Sequence, residues 1–336
     1  MRRSLASLLL FPLIAPLLFG SATTAQAADG ELLVAAYDVA REVYKDLGSA
    51  YTAAHPGTTF NFSHGGSSKQ ARAVVEGLPA DLVAMNQALD IDQIAKANLL
   101  PKDWATLQPN GSSPSWSTIL FVVRKGNPKG IKDWSDLTRE GVAVVIPNPK
   151  TSGNGRYSFL AAWAWALHQP GGTPAKAESF VADLFLHVPV LDAGGRGATT
   201  TFAQRGIGDV LLTFENEIAL VSKEFAAEGF ETVVPSLSIR ADNPVAVVTK
   251  VADHKGNTAA AQDFLAFHYS TAGQEIFARN HLRPADEKVL SAHAADFPAV
   301  NLVTIADFGG WTKAQADLFA DGGIYDRIAK KNNDRR

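Results

Sequence analysis

A glycine- and serine-rich turn lies near the middle of the chain, in the stretch Asn148-Pro149-Lys150-Thr151-Ser152-Gly153-Asn154-Gly155-Arg156-Tyr157. It follows the apolar residues 142–146 and precedes a segment with helical spacing at 157–168, which predicts a strand, a turn and a helix. Thr151 and Ser152 are favoured at helix starts, and the two glycines let backbone N–H groups approach a ligand closely. Free N–H groups at the positive end of a helix dipole form a seat for an anion.

Two other strand-to-helix turns have the same chemistry. One is Ser63-His64-Gly65-Gly66-Ser67-Ser68-Lys69-Gln70, which follows the apolar residues 59–62. The other is Asp192-Ala193-Gly194-Gly195-Arg196-Gly197-Ala198-Thr199-Thr200, which follows a predicted strand at 188–191. We therefore expect three helix starts to converge on one small oxyanion.

The N-terminal residues have the features of a secretory signal peptide. Two arginines precede an apolar run at 5–19, and Ala25-Gln26-Ala27 matches a cleavage site. The apolar run contains two prolines and is short for a bilayer, which disfavours a membrane anchor. The pattern predicts residues 1–27 as a signal peptide, cleavage after Ala27 and export through the inner membrane to the periplasm.

Composition excludes several kinds of chemistry. The 336 residues include no cysteine, so thiolate catalysis and cysteine-based metal sites are excluded. The formal net charge of −3 disfavours nucleic acid as a partner. The eight histidines show no paired ligand spacing, and we expect neither a metal nor a cofactor.

Alternating strands and helices predict an α/β fold with two lobes. A polar break at 108–114 and the sequence Asp242-Asn243-Pro244 mark two hinge crossings between the lobes. We expect residues 28–115 and 242–300 to form the first lobe and residues 116–241 the second, each a doubly wound, mostly parallel sheet flanked by helices. Residues 301–336 are predicted to be helical, with their lobe unassigned. A ligand would lie in the cleft at the carboxyl ends of the strands, and hinge closure would enclose it.

Five motifs in this order carry a family resemblance: Tyr37-Asp38-Val39-Ala40-Arg41-Glu42, Ser63-His64-Gly65-Gly66-Ser67-Ser68-Lys69-Gln70, Val123-Arg124-Lys125-Gly126-Asn127-Pro128, Pro147-Asn148-Pro149-Lys150-Thr151-Ser152-Gly153 and Gly194-Gly195-Arg196-Gly197-Ala198-Thr199. They resemble the periplasmic sulfate- and thiosulfate-binding proteins of ABC importers. The resemblance implies a monomeric, two-lobed periplasmic binding protein of type II that delivers an oxyanion to the importer's membrane permease.

The resemblance also implies a ligand-binding set. Carried over by position, the direct donors are Ser67, Ser152, Gly153, Asn154 and Gly195, mostly through backbone N–H groups.

Two of these positions separate the branches of the family. Position 154 is glycine in the sulfate branch, and the position of Phe214 is tryptophan there, whose indole N–H donates to sulfate. Phenylalanine has no such donor. The resemblance therefore favours thiosulfate as the ligand, with sulfate also bound.

Four further residues are expected to lie behind the donors and orient them: Asp38, Thr151, Arg156 and Arg196. We predict that the two arginines bind backbone carbonyls or Asp38, the alternative being that they are exposed and only solubilising. Both sulfur oxyanions are fully ionised at neutral pH, so a matching site presents donors only. The turns contain no glutamate, and Asp192 is the one acid that the sequence places near them.

Other functions are open at this stage. A protein for another tetrahedral oxyanion, of the molybdate and tungstate class, has the same sequence requirements, whereas phosphate would favour a carboxylate acceptor for its proton. A secreted hydrolase using Ser152 is a remote alternative, because Lys150 replaces the first glycine of the G-x-S-x-G motif. The P-loop spacing is absent from the Ser63–Gln70 turn.

Overall fold

The computed structural model describes residues 30–334, so the predicted signal peptide lies outside the described residues. The strands are β1 Gly30–Tyr37, β2 Thr58–Gly65, β3 Leu82–Ala84, β4 Ser115–Val123, β5 Val144–Val145, β6 Val210–Phe214, β7 Glu231–Val233, β8 Ser238–Asn243, β9 Val245–Val247, β10 Arg283–Pro284 and β11 Leu302–Val303. The α-helices are α1 Arg41–Ala54, α2 Ser67–Val75, α3 Ala88–Lys96, α4 Pro109–Ser112, α5 Gly153–Leu167, α6 Pro174–Leu186, α7 Gly195–Thr199, α8 Glu215–Glu224, α9 Thr249–Lys255, α10 Thr258–Phe267, α11 Thr271–Arg279, α12 Glu287–Ala292, α13 Gly310–Ala314 and α14 Ile324–Asn333. Among these residues, no helix has both the length and the apolarity needed to cross a bilayer.

The first lobe is built on a four-stranded sheet in the order β2-β1-β3-β9. The first three strands are parallel, and β9 runs antiparallel to β3. Apolar residues of α1 and α10 pack on this sheet, with the rings of Phe60 and Phe264 4.5 Å apart. The carboxyl ends of β2 and β3 lead directly into α2 and α3, which brings two helix starts to the same edge of the sheet.

The second lobe is built on a mixed sheet in the order β11-β8-β4-β6-β5, with β7 and β10 also paired to β4. Strand β4 is buried along its whole length and runs antiparallel to each of its four partners. The pairs β5–β6 and β8–β11 are parallel. Helix α5 is buried from Gly153 to Ala166 and mostly apolar beyond its first two turns, because it lies between this sheet and the helices that cover it.

The chain passes between the sheets at the two predicted crossings, before β4 and between β8 and β9. A further passage lies between β9 and β10, because β10 pairs with β4 and β11 with β8 in the second sheet. The C-terminal segment then packs on the second lobe, where Asn332 Nδ2 donates to the carbonyl of Ala182 at 2.8 Å. Phe319 and Ile328 of this segment are both buried. The predicted lobe boundaries stay a prediction.

Two local predictions differ from the structure. Helix α5 begins at Gly153, so the glycine-rich turn is itself the first turn of the helix. Residues 188–191 form no strand; this segment lies beside β5 through isolated backbone bonds, from Val144 N to His187 O and from Asn148 N to Asp192 O, each 2.8 Å. The apolar run resembles a strand in sequence, but Leu191 is 43% exposed and the ladder does not continue.

Candidate functional site

The first turn of α5 is held in shape by contacts within the second lobe. Ser152 is the N-cap, and its Oγ accepts a hydrogen bond from Gly155 N at 3.4 Å. A Cβ on Gly155 would overlap the carbonyl of Pro147 and lie 2.8 Å from Pro149 N, so only glycine fits. As at every helix start, the first N–H groups have no acceptor within the helix. Those of Gly153 and Asn154 are therefore available as donors.

Two side chains fix the orientation of this turn. Asn154 Nδ2 donates to Thr213 Oγ1 at 3.0 Å, and Asn154 Oδ1 accepts from Ser158 Oγ at 3.3 Å. The side chain of Asn154 is thereby bound inside the lobe, which leaves its main chain to face a ligand. Arg156 is 5% exposed, and its Nε donates to the carbonyl of Pro149 at 2.9 Å. Burial lowers the pKa of the Arg156 guanidinium.

The second helix start in this lobe is capped by the other lobe. Gly194 is the N-cap of α7 and offers no side chain, and α7 continues as a π-helical turn from Thr200 to Gln204. The N–H of Arg196 donates instead to Asp38 Oδ2 of the first lobe at 3.2 Å. Thr151 Oγ1 donates to the carbonyl of Ala193 at 3.0 Å and so joins the α5 turn to the α7 turn.

The side chain of Arg196 does not make the predicted contacts. Its guanidinium pairs with Glu217, at 3.0 Å, and with Glu224, rather than with backbone carbonyls or Asp38. Although burial opposes the shift, these two carboxylates raise the pKa of Arg196. The prediction failed because Glu217 and Glu224 lie on α8, which the local sequence around Arg196 does not reveal.

The first lobe supplies the start of α2. Ser67 is 1% exposed, and its Oγ accepts from Asn86 N, just beyond β3, at 3.3 Å. The neighbouring Ser68 Oγ donates to Asp90 Oδ1 at 2.9 Å, and Gln87 Nε2 donates to Asp90 Oδ2 at 2.7 Å. Asp90 is fully buried. Burial raises its pKa, which the hydroxyl of Ser67 and the charge of Arg156 oppose.

The three turns meet at one place. A Cβ on Gly66 would lie 2.8 Å from the carbonyl oxygen of Thr151 and 3.0 Å from that of Ala193, so the first-lobe turn touches both second-lobe turns. A Cβ on Gly195 would lie 3.2 Å from Asn154 Nδ2. Asn216 Nδ2 also crosses between the lobes and donates to the carbonyl of Val39 at 3.0 Å. The starts of α2, α5 and α7 therefore come together at one place between the lobes.

Phe214 ends β6 beside the first turns of α5. It follows Thr213, which holds Asn154, and its buried ring packs edge-on against Tyr157 of α5 at 5.8 Å. A phenyl ring gives this wall no hydrogen-bond donor. Five of the six predicted binding positions thus lie in the three converging turns, and the sixth lies directly behind one of them.

More carboxylates lie near the turns than the sequence suggested. Asp192 is present as expected, and its backbone carbonyl accepts from Asn148 N. Asp38, Asp90 and Glu217 also surround the turns, and burial raises the pKa of each. Each accepts a hydrogen bond from an N–H or hydroxyl group of the turns: Asp38 from Arg196, Asp90 from Ser68, and Glu217 from Thr199. Asp38 also accepts from the N–H of Val39. Both oxygens of Asp38 and of Asp90 are thereby occupied, whereas Glu217 Oε2 is buried and has no hydrogen-bond partner among residues 30–334.

Sequence reasoning missed Asn86, Asp90 and Glu217. The polar pair Asn86-Gln87 at the end of β3 was the available signal for the first two, because polar residues at carboxyl strand ends border the ligand cleft. Nothing local marks Glu217. Within residues 30–334, no cluster of three or more His, Asp or Glu side chains could hold a metal ion.

Known proteins include several relatives of this chain. Residues 32–283 match the family model of the bacterial extracellular solute-binding protein. The chain is 52% identical over 308 residues to a thiosulfate-binding protein of Pseudomonas aeruginosa, covering 90% of this chain and 92% of that one. It is 46% identical over 317 residues to the sulfate-binding protein of Escherichia coli, covering 93% and 96% respectively.

A solved structure shows the same architecture. The sulfate-binding protein SubI of Mycobacterium tuberculosis superposes with a TM-score of 0.80 at 35% identity, over 86% of this chain and 99% of that one. The resemblance found in the sequence motifs and the two-lobed α/β fold are both confirmed. The chain belongs to the bacterial extracellular solute-binding protein family, in the group that contains the sulfate- and thiosulfate-binding proteins.

Proposed function

We propose that this protein captures thiosulfate and sulfate between its lobes and delivers them to an ABC importer. The observation that supports this most strongly is the meeting of three helix starts from two lobes, with Gly66 in contact with the carbonyls of Thr151 and Ala193. The related proteins from P. aeruginosa and E. coli carry the names of these same two anions.

The energetics suit a fully ionised dianion. Each partly buried helix end contributes up to ~2 kcal/mol toward a negative charge. Each charge-assisted N–H bond contributes about 1.5–3 kcal/mol. Several such donors reach the roughly 8 kcal/mol that micromolar binding requires. Ser67, Ser152, Gly153, Asn154 and Gly195 are the proposed donors, and Asp38, Thr151, Arg156 and Arg196 orient or cap the turns that carry them.

Thiosulfate is the proposed preferred ligand. The buried ring of Phe214 offers no hydrogen-bond donor beside Thr213, so one of the bonds that would favour the fourth oxygen of sulfate is missing. The terminal sulfur of thiosulfate is larger and accepts hydrogen bonds only weakly, so thiosulfate loses less binding free energy when this donor is missing. The protein acts as a binding component rather than as an enzyme, in the periplasm after removal of residues 1–27, and its partner is the importer's membrane permease.

Calorimetry tests this function directly. Thiosulfate, sulfate, molybdate and phosphate are titrated in parallel into the protein lacking residues 1–27. We expect micromolar or tighter binding of the two sulfur oxyanions, and solution scattering should show a smaller radius of gyration when either is bound. Tight binding of molybdate or phosphate alone would reject the proposal, and an unchanged scattering profile would reject closure.

A further inference from the structure

One buried side chain at the site makes no contribution to the interactions described so far. Asn86 follows β3 in the first lobe and is 3% exposed, and its backbone N–H donates to Ser67 Oγ. Its carboxamide lies against Gly153, the first residue of α5 in the second lobe. A Cβ on Gly153 would overlap Asn86 Oδ1 and lie 2.8 Å from Nδ2. The carboxamide therefore lies across the gap between the lobes at a predicted donor position.

The oxygen of this carboxamide is unused. Asn86 Oδ1 is buried, and no hydrogen-bond partner for it exists within residues 30–334. A buried amide oxygen without a partner costs about 1–3 kcal/mol. The oxygen of the next residue, Gln87, also has no partner, but Gln87 Nε2 donates to both Ser68 and Asp90 inside the first lobe. Gln87 is anchored within its own lobe, whereas the carboxamide of Asn86 is directed at the other lobe.

We propose that the Asn86 side chain is a ligand contact, supplied by the first lobe, that helps to select proton-free oxyanions. This inference rests on the proposed function. A carboxamide has nearly the same shape at its two ends, so rotation about its last bond exchanges Oδ1 for Nδ2 without moving a neighbour. In the anion complex the NH₂ end faces the ligand beside Gly153, and it adds a neutral donor from the lobe opposite α5 and α7.

The geometry also explains a requirement at position 153. Any side chain there would displace the carboxamide of Asn86, so glycine at 153 and asparagine at 86 are needed together. A proton-free dianion accepts from the NH₂ end only. Hydrogen phosphate, which carries a proton, would instead suit the oxygen end. Selectivity against phosphate is therefore a property of the orientation that Asn86 adopts.

The variant Asn86→Asp tests the proposal while keeping the shape of the side chain. Its charge would face the dianion, so we expect thiosulfate and sulfate affinity to fall by roughly 100-fold at pH 7. Repulsion by the ligand raises the pKa of a neighbouring carboxyl, so affinity should recover substantially at about pH 5. Asn98→Asp, a substitution of the same type at an exposed position in the first lobe, is the matched control. This variant should bind both anions like the wild type at both pH values.

Asn86→Ala removes the donor without adding charge, and we expect about a tenfold loss of affinity. An Asn86→Asp protein that binds both anions as tightly as the wild type at pH 7, or whose loss does not reverse with acid, would overturn the proposal. So would tight binding of phosphate by the wild type, since the oxygen end would then face the ligand. If Asn86→Asp does not fold, the anion affinity of Asn86→Ala tests the proposal, and an affinity equal to that of the wild type would overturn it. A wild-type protein that binds neither sulfur anion would reject the proposed function itself, a result distinct from all of these.

Discussion

The two lobes hold their parts of the candidate site in different ways. In the second lobe, the α5 turn is closed on itself: Ser152 caps Gly155, Arg156 binds the carbonyl of Pro149, and Asn154 binds Thr213. In the first lobe, Gly66 and Asn86 lie against the opposite lobe, at Thr151, Ala193 and Gly153. The α5 turn is therefore held in shape within its own lobe, whereas the contacts of the first-lobe turn form only when the lobes close.

The difference teaches that affinity and stability are separable at this site. Contacts within the second lobe contribute to folding as well as to binding. Contacts between the lobes exist only when the cleft is shut, so they contribute to binding alone. Substitutions of the same size on the two sides should therefore give different results.

The largest effect is expected from Gly155→Ala. The added methyl group would overlap the carbonyl of Pro147 and approach Pro149 N, and backbone atoms cannot move aside as a flexible side chain can. We expect a loss of about 3 kcal/mol in the free energy of unfolding, together with loss of anion binding. Denaturant unfolding and calorimetry measure the two effects. Gly197→Ala, whose methyl group would meet only the Asp192 side chain at 3.2 Å, should cost less than about 1 kcal/mol. Equal losses in the two variants would contradict the prediction.

Acid should weaken the first lobe through His268. This side chain is fully buried among aromatic rings, and burial lowers its pKa to about 4 from an ordinary 6.5. Between these values the unfolded chain binds more protons, so stability falls as the pH is lowered through this window, by about 3 kcal/mol in total. His268→Asn, which keeps a donor for the carbonyl of Phe264, should flatten this dependence. Unfolding measured at several pH values gives both slopes, and parallel slopes would exclude His268 as the cause.

A smaller effect, on binding alone, is expected from Gly66→Ala. Its backbone, at φ −54° and ψ 138°, accepts alanine, so the first lobe should fold normally. The methyl group would meet the carbonyls of Thr151 and Ala193 only when the lobes close, and we expect about a tenfold loss of affinity with unchanged unfolding of the unliganded protein. Gly65→Ala is the control, because its methyl group would contact only the Gln70 side chain of its own lobe. A loss of stability in Gly66→Ala would show that the lobes are already shut without ligand.

The smallest effect is expected from Phe214→Trp. An indole N–H would add one donor to the wall beside Thr213, and we expect the ratio of sulfate to thiosulfate affinity to rise by roughly 3- to 10-fold. Competition calorimetry with the two anions measures the ratio. Phe230→Trp, a similar change at a partly buried ring that packs against Phe202 in the second lobe, controls for added bulk. No change in the ratio would remove the missing donor as the reason for thiosulfate preference.

The sequence predicted what is local. Helix starts such as those at Ser67 and Ser152 are encoded by adjacent glycine, serine and threonine residues, so the three turns were found before their positions were known. Long-range partners were not predictable in the same way. The bond from Arg196 N to Asp38 joins residues 158 positions apart, and nothing near Arg196 indicates that its guanidinium would reach Glu217 and Glu224.

The failed strand prediction at 188–191 has a related cause. A run of apolar residues is compatible with a strand, but a ladder also needs a partner strand that continues beside it. Here β5 is only two residues long, and the segment beside it makes isolated bonds. Whether such a run becomes a strand is decided by the length of its neighbour, which local sequence does not encode.

The return of the C-terminal segment to the second lobe imposes an order on how the protein is completed. Chains emerge N-terminus first during synthesis. Trp311 packs edge-on against Tyr157 in the first turns of α5, at 5.3 Å, and Lys150 Nζ donates to the carbonyl of Phe319 at 2.9 Å. The turn that starts α5 therefore lacks its last neighbours until more than 150 later residues have been synthesised. A prematurely terminated chain would lack those neighbours, so the support of this turn depends on the last residues to be synthesised.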